Sequence, residues 1–368
     1  MTLREKLGQL FMVGFLGSSV STELAAFMRE YKPGGVIVFS RNLESVGQMV
    51  ELTNALQKLS SRSPLLVSID QEGGRVSRVP KDFTIFPPSQ VVGQCNSYEL
   101  AYAAASVTAA ELRSVGINMN MAPVLDVNSN PCNPIIGDRA FGTTPDLVCE
   151  MARATMAGLQ DNRVAACGKH FPGHGDTATD SHKELPVVTA PLHRLEEIEL
   201  PPFDHAIRHG VASLMTAHVR YEALDGERPA TLSPAILRTL LREQLGYNGV
   251  VLTDDLEMNA IVDHYGIGDA AVRAFLAGCD VLLICKDHER EVTAIKAVEA
   301  AVKDGSISQA RLDLSLERIA RLKARFIEPY KPVTISDARL IVGCRTHRLL
   351  LKTLLRTHER MRPFATLA

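Results

Sequence analysis

The sequence predicts an α/β fold: a single closed barrel of eight parallel strands with helical crossovers, the (β/α)8 TIM barrel, followed by a short C-terminal helical extension. Three observations carry this reading. Eight short apolar runs alternate with amphipathic stretches through most of the 368 residues. No Pro-, Gly- or Ser-rich linker divides them, and charged or histidine side chains recur just after the runs. Parallel strands need helical crossovers, and a closed barrel of eight accounts for the number with least strain. A two-domain α/β protein is the competing arrangement.

The apolar runs fall at residues 10–14, 35–39, 65–69, 118–122, 164–168, 211–216, 249–253 and 281–285. Helical periodicity occupies 20–31, 46–59, 97–114, 147–160, 195–208, 233–244 and 269–277 between them. Two further helical patterns, 290–303 and 309–326, follow the eighth run. If these runs are barrel strands, function belongs at their C-terminal ends. Arg41 and Asn42 follow the second run, Asp70 and Glu72 the third, and Asp126 the fourth. Lys169 and His170 follow the fifth, His218 the sixth, and Asp254 and Asp255 the seventh.

Composition narrows the function classes. Apolar residues make 46% of the chain and charged residues 22%, enough for a large core and too apolar for global disorder. Forty basic side chains against 42 acidic ones argue against electrostatic capture of nucleic acid. With no tryptophan, a stacking platform for single strands would be poorly supplied. The seven cysteines are scattered without CxxC spacing, which suits reduced core thiols better than disulfides or a structural zinc. The run 10–16 is too short to span a bilayer, so a cytoplasmic protein without a membrane partner is expected.

The tail differs in character. Residues 331–368 carry a net charge of +6, which leaves −8 for the first 330. We therefore divide the chain into a barrel domain, 1–330, and a basic helical tail, 331–368. Leu349, Leu350, Leu351, Leu354 and Leu355 give the tail an amphipathic helix, expected to dock on the barrel with its basic face in water, with a partner or membrane surface as the alternative.

The densest polar segment is KHFPGHGDTATDSH, residues 169–182. Pro172, Gly173 and Gly175 exclude a continuous helix, so His170 and His174 do not form a metal-binding pair on one helical face. Asp180 lies two residues before His182 and can accept from one ring nitrogen, leaving the other to move a proton near neutral pH. In GVVLTDDLEMNA, residues 249–260, strand alternation sends Asp254 and Asp255 to opposite sides. One can face a ligand while the other caps the next turn or holds a metal. In SIDQEGGRVSR, residues 68–78, Asp70 with Arg75 and Arg78 could bind a polyhydroxylated ligand, or form a structural ion pair. GDRAFG, residues 137–142, offers Arg139 to the same region.

These four segments, in this order, resemble glycoside hydrolase family 3, specifically its bacterial β-N-acetylglucosaminidase (β-hexosaminidase) branch of peptidoglycan recycling. The resemblance covers about residues 1–328. It implies a retaining hydrolase on a (β/α)8 barrel that needs no cofactor or metal. Position by position it implies Asp254 as nucleophile and His182, assisted by Asp180, as acid/base. Asp70, Arg78, Arg139, Lys169 and His170 match the residues that hold the non-reducing sugar. His174 and Asp176 belong to the signature and are expected to shape the loop. The implied partner is a carbohydrate, GlcNAc-containing muropeptide fragments, acted on by a monomer.

Two-domain relatives in the family continue into an α/β sandwich, and the segment from Ile341 resembles the start of that connection. Glu257 stands where relatives often carry a small or polar residue. Phosphorolysis of β-N-acetylglucosaminides, or β-glucosidase activity, remains open within the family. Outside it, Lys169 as a Schiff-base lysine of an aldolase, a metal-dependent hydrolase built on the histidine loop and a non-catalytic sugar-binding module are the alternatives.

Overall fold

The computed structural model describes residues 1–60, 63–179 and 184–365. Eight parallel strands form one sheet: β1 (Phe11–Val13), β2 (Gly35–Val38), β3 (Leu66–Ile69), β4 (Met119–Asn120), β5 (Ala165–Phe171), β6 (Ser213–Thr216), β7 (Val250–Leu252) and β8 (Leu282–Ile284). Each strand pairs with its neighbours in sequence, and β1 pairs with β8 through Phe11–Leu282, Met12–Leu283 and Val13–Ile284. A parallel bridge between Leu252 and Val281, with Thr253 N–H donating to the Val281 carbonyl at 3.0 Å, closes the ring. Every residue of these strands is buried, as expected for a parallel sheet wrapped by helices.

The helices begin where short polar side chains satisfy their first amides. Ser21, Ser45, Ser97, Asp287 and Ser308 each accept from a first-turn N–H, starting Thr22–Tyr31, Val46–Lys58, Tyr98–Ser114, His288–Lys303 and Gln309–Phe326. All five lie within two residues of the boundaries expected from periodicity. The helix at Pro145–Asp161 starts on a proline, whose missing N–H costs nothing there.

The structure adds elements that the pattern did not announce. Short helices at Leu3–Gly8, Ser89–Gln94 and Asn259–Tyr265 are too brief to show a helical period. A three-stranded sheet of Val187–Val188, Arg220–Tyr221 and Asp225–Pro229 sits outside the barrel. The fourth strand keeps only two residues of its predicted run, although the Met121 amide and the Ala122 carbonyl still bond to the neighbouring strands. The fifth is longer than predicted and carries Lys169 and His170 inside the strand, not beyond it.

After Phe326 the chain crosses the outside of the barrel. Helices Ile335–Ile341 and Arg345–Ala365 rest on Val46–Lys58, Ser89–Gln94 and Tyr98–Ser114. Ala338 and Leu354 are fully buried in this contact, while Arg345, Arg348, Lys352, Arg356 and Arg360 are exposed.

Candidate active site

A cavity of about 650 Å³ opens where the strands end. Asp70, Arg78, Arg139, Lys169, His170 and Asp254 all line it, so six of the residues singled out from sequence meet in one place. Asp180 and His182 lie outside the described residues.

On one wall, Lys169 joins two carboxylates. Its Nζ donates to Asp70 Oδ1 at 2.7 Å and lies 2.6 Å from Glu72 Oε1. Arg139 grips the same Glu72 through Nε and Nη2, both at 2.9 Å. Lys169 and Glu72 are each only 3% exposed, so this charge network works at low dielectric. Burial alone would raise the Glu72 pKa, but Lys169 and Arg139 outweigh it and hold the carboxyl well below its ordinary range. Burial would equally favour a neutral Lys169, yet Asp70 and Glu72 push its pKa up and keep it an ammonium. A protonated amine is no nucleophile, which removes the basis for the Schiff-base reading.

The second wall is built on Asp126. Its carboxylate accepts from His170 Nδ1 at 2.7 Å, from the His170 amide at 3.1 Å and from the His174 amide at 2.7 Å. This fixes the His170 ring with Nε2 as its other face. Burial acts to raise the Asp126 pKa, but the histidines beside it bring it below the usual value. His174 contacts Thr177 Oγ1 through Nδ1 at 2.8 Å. Burial and the neighbouring His170 depress its pKa to about 4, so it is neutral at pH 7. Asn133 Nδ2 donates to the carbonyls of His174 and Gly175 at 2.8 and 2.9 Å. His174 thus shapes the loop, and its ring also reaches the cavity lining.

The floor holds Asp254, just past β7. Burial opposes its ionisation, but His218, His170, the Asp255 amide and Lys169 together bring its pKa below the ordinary value. The amide of Asp255 donates to Asp254 Oδ1 at 2.8 Å. Asp255 also borders the cavity, yet its Oδ1 accepts the Glu257 amide at 3.1 Å and so turns back into its own loop. Burial, with Glu257 and Asp254 nearby, pushes its pKa up to about 7. Of the two adjacent aspartates, Asp254 is therefore the stronger acid.

Other expectations resolve differently. Arg75 does not converge on Asp70; it pairs with Asp138 at 3.0 Å and with the Ile135 carbonyl at 2.6 Å. Arg78 borders the cavity and its buried Nε has no hydrogen-bond partner. Asn42 spends its amide on the Phe15 and Gly17 carbonyls and is structural. Glu257 lines the cavity, with Oε2 accepting the Cys285 and Lys286 amides at 2.9 and 2.7 Å. Among the described residues, no group of three or more His, Cys, Asp or Glu side chains could hold a metal.

Sequence reasoning gave no role to Glu72, Asp126 or Gln71. Glu72 and Asp126 stood among the rim residues, and their position at strand ends was the available signal. Gln71 was not readable: its buried side chain accepts the Arg78 amide at 2.9 Å and closes the turn that presents Arg78.

A parallel barrel whose strand ends gather carboxylates, cations and histidines around one cavity defines an enzyme acting on a small polar ligand. Residues 2–322 match the glycosyl hydrolase family 3 N-terminal domain. A β-hexosaminidase of Nitrosomonas eutropha is 38% identical over 322 residues, covering 84% of this chain and 92% of that protein. The β-hexosaminidase A of Pseudoalteromonas piscicida is 36% identical over 359 residues; the match covers 90% of this chain and spans only 60% of that longer relative. Among solved structures, a family 3 β-N-acetylglucosaminidase from Paenibacillus sp. FPU-7 superimposes with a TM-score of 0.87 at 44% identity, covering 93% of this chain and 68% of that one. The chain belongs to glycosyl hydrolase family 3 and is a glycoside hydrolase.

Proposed function

We propose that this chain is a retaining exo-β-N-acetylglucosaminidase that removes non-reducing terminal GlcNAc from muropeptide-type glycans. The observation that carries it is Asp254: an ionised, largely enclosed carboxylate at the floor of the cavity, opposite a preformed array of Lys169, Asp70, Arg139 and His170. The names of the relatives support the sugar, since the two bacterial proteins above are β-hexosaminidases and the solved neighbour is a β-N-acetylglucosaminidase.

In this reading Asp254 attacks the anomeric carbon as the bond to the leaving oxygen breaks. His182, oriented by Asp180, gives that oxygen its proton. The neutral ring then takes a proton from water as water displaces Asp254, so the anomeric configuration is retained. Asp70, Lys169 and Arg78 hydrogen-bond the sugar hydroxyls, and Arg139 holds Glu72 so that Lys169 stays in place. His170 faces the sugar with the ring nitrogen that Asp126 leaves free.

The test compares hydrolysis of an aryl β-N-acetylglucosaminide with the aryl β-glucoside, each with and without phosphate. Preference for the glucoside, or a sugar phosphate as product, would overturn the hydrolytic β-N-acetylglucosaminidase assignment. Asp254→Asn is expected to lower turnover by roughly 10³-fold or more, and His182→Ala by about 10²–10⁴-fold. The His182→Ala loss should shrink when the leaving group needs no proton. Full turnover in Asp254→Asn would remove the nucleophile from the proposal.

A further inference from the structure

A buried carboxylate beneath the histidine loop has no part in the chemistry above. Glu199 ends the wide helical turn Leu195–Glu199, just before helix Pro201–Arg208. Its side chain is 1% exposed. Oε1 accepts from Ser129 Oγ at 2.8 Å and from Arg194 Nη1 at 3.4 Å, whereas buried Oε2 has no hydrogen-bond partner. That orphan oxygen looks onto loop backbone. It lies 3.1 Å from where a Cβ on Gly173 would stand, and 3.4 Å from the same point on Gly175. A Cβ on Gly175 would also overlap the Val127 carbonyl, so the loop passes here with room for backbone alone.

Around this contact the loop is tied from several directions. Tyr221 Oη donates to the Gly173 carbonyl at 2.6 Å, Asn133 holds the carbonyls of His174 and Gly175, and Asp126 holds the His174 amide. Further along, the Thr177 carbonyl accepts from Asn130 Nδ2 at 3.4 Å, three residues before Asp180.

We propose that Glu199 is a positioning residue for the acid/base: packed against Gly173 and Gly175, it sets the course of the Gly173–Thr177 backbone from which Asp180 and His182 continue. The inference rests on the reading of His182 as the proton donor. Glu199 works as the neutral acid. The charged groups that face it are Asp126 from the segment after β4, Asp176 from the loop and Arg194 from the preceding turn. Burial, reinforced by the two aspartates and opposed by Ser129 and Arg194, pushes its pKa up to about 7. Tyr221, itself pushed well above its ordinary value, stays neutral, as does His174. Ionisation would bury a charge shared by Oε1, which Ser129 and Arg194 support, and Oε2, which has no donor, against the repulsion of Asp126 and Asp176, and the packed backbone would have to shift. Below about pH 7 the neutral form holds the loop; above it the loop loses its seat.

Glu199→Gln removes the titration while keeping the size and the Oε1 acceptor. Comparing kcat at about pH 8.5 with kcat at about pH 6 in each protein, this ratio should be roughly tenfold higher in Glu199→Gln than in the unmodified chain, because a group titrating near 7 is largely ionised by then. Glu199→Ala should lower kcat roughly tenfold or more on a substrate with a poor leaving group and much less on one with a good leaving group, with KM little changed. An unaltered alkaline limb in Glu199→Gln overturns the inference, and so does an equal loss on both substrates in Glu199→Ala. If Glu199→Ala fails to fold, the Glu199→Gln pH profile decides alone. His182→Ala measured in parallel separates the two readings. Absence of leaving-group dependence there defeats the acid/base assignment; its presence, with Glu199→Gln retaining the unmodified pH profile, defeats only the role of Glu199.

Discussion

Lys169 illustrates how far a residue type underdetermines its chemistry. A buried lysine on a barrel strand can be a nucleophilic amine or a fixed cation, and its neighbours choose. Here two carboxylates within 2.7 Å choose the cation, and Glu72 in turn is shared with Arg139. Neutralising Glu72 strips Arg139 of its buried carboxylate and leaves Lys169 with Asp70 alone. Glu72→Gln is therefore predicted to destabilise the fold by about 3–5 kcal/mol, read from urea unfolding. Its pH dependence has a definite sign. The folded-state pKa of Glu72 lies below the ordinary 4.5, so its stabilisation is present above that value and is lost as pH falls through the depressed one. The unmodified protein should thus lose stability more steeply below about pH 4.5 than Glu72→Gln does. Parallel slopes in the two proteins would mean that Glu72 is not ionised against its neighbours.

At the scale of elements, what the sequence revealed and what it hid have separate physical causes. Strands buried on both faces read as unbroken apolar runs, and long helices repeat their period several times, so both were legible from residues 10 to 326. The contents of the loops were not, because each depends on which partners the folded chain brings together. Arg75 turns to Asp138 and not to Asp70, and Gln71 reaches across its own loop to Arg78, choices that no local pattern encodes. Asp126 was legible as a rim residue but not as the anchor of His170, since the two meet only when β4 and β5 pair. The seam of the barrel offers a test at this scale. Gly14 follows β1, its N–H donates to the Ile284 carbonyl at 2.8 Å, and a Cβ there would overlap the Cys285 backbone. Gly14→Ala is predicted to force β1 and β8 apart. A loss of about 1–3 kcal/mol by thermal or urea unfolding is expected, as for other overpacked sites. An unchanged melting temperature would show that the seam can yield.

Taken as a whole, the molecule divides its charge, an acidic barrel carrying a basic extension, and the question is what fastens the two. Long-range attraction is a poor candidate, because Arg345, Arg348, Lys352, Arg356 and Arg360 of the last helix are exposed to water, where salt screens them. Glu111 is a better one. This carboxylate, on the helix Tyr98–Ser114, is 2% exposed. Oε2 accepts the Thr84 amide at 2.8 Å. Oε1 accepts Thr84 Oγ1 at 2.7 Å, the Gly343 amide at 2.9 Å and His347 Nδ1 at 2.8 Å. One side chain therefore ties the loop after β3 to the turn between the two tail helices. Leu354 supplies the apolar part of the same contact, with no exposure at all. Two kinds of interaction can be separated by substitution. Leu354→Ala should cost about 2–5 kcal/mol through lost packing, in a manner insensitive to salt. Glu111→Ala should cost a comparable amount by stranding buried amides at about 1–3 kcal/mol each, whereas His347→Ala, which leaves the other three donors in place, should cost about 1 kcal/mol. Urea unfolding at low and high salt measures all three. If instead high salt weakened the unmodified protein by as much as Glu111→Ala does, the fastening would be the charge asymmetry itself and not the buried carboxylate.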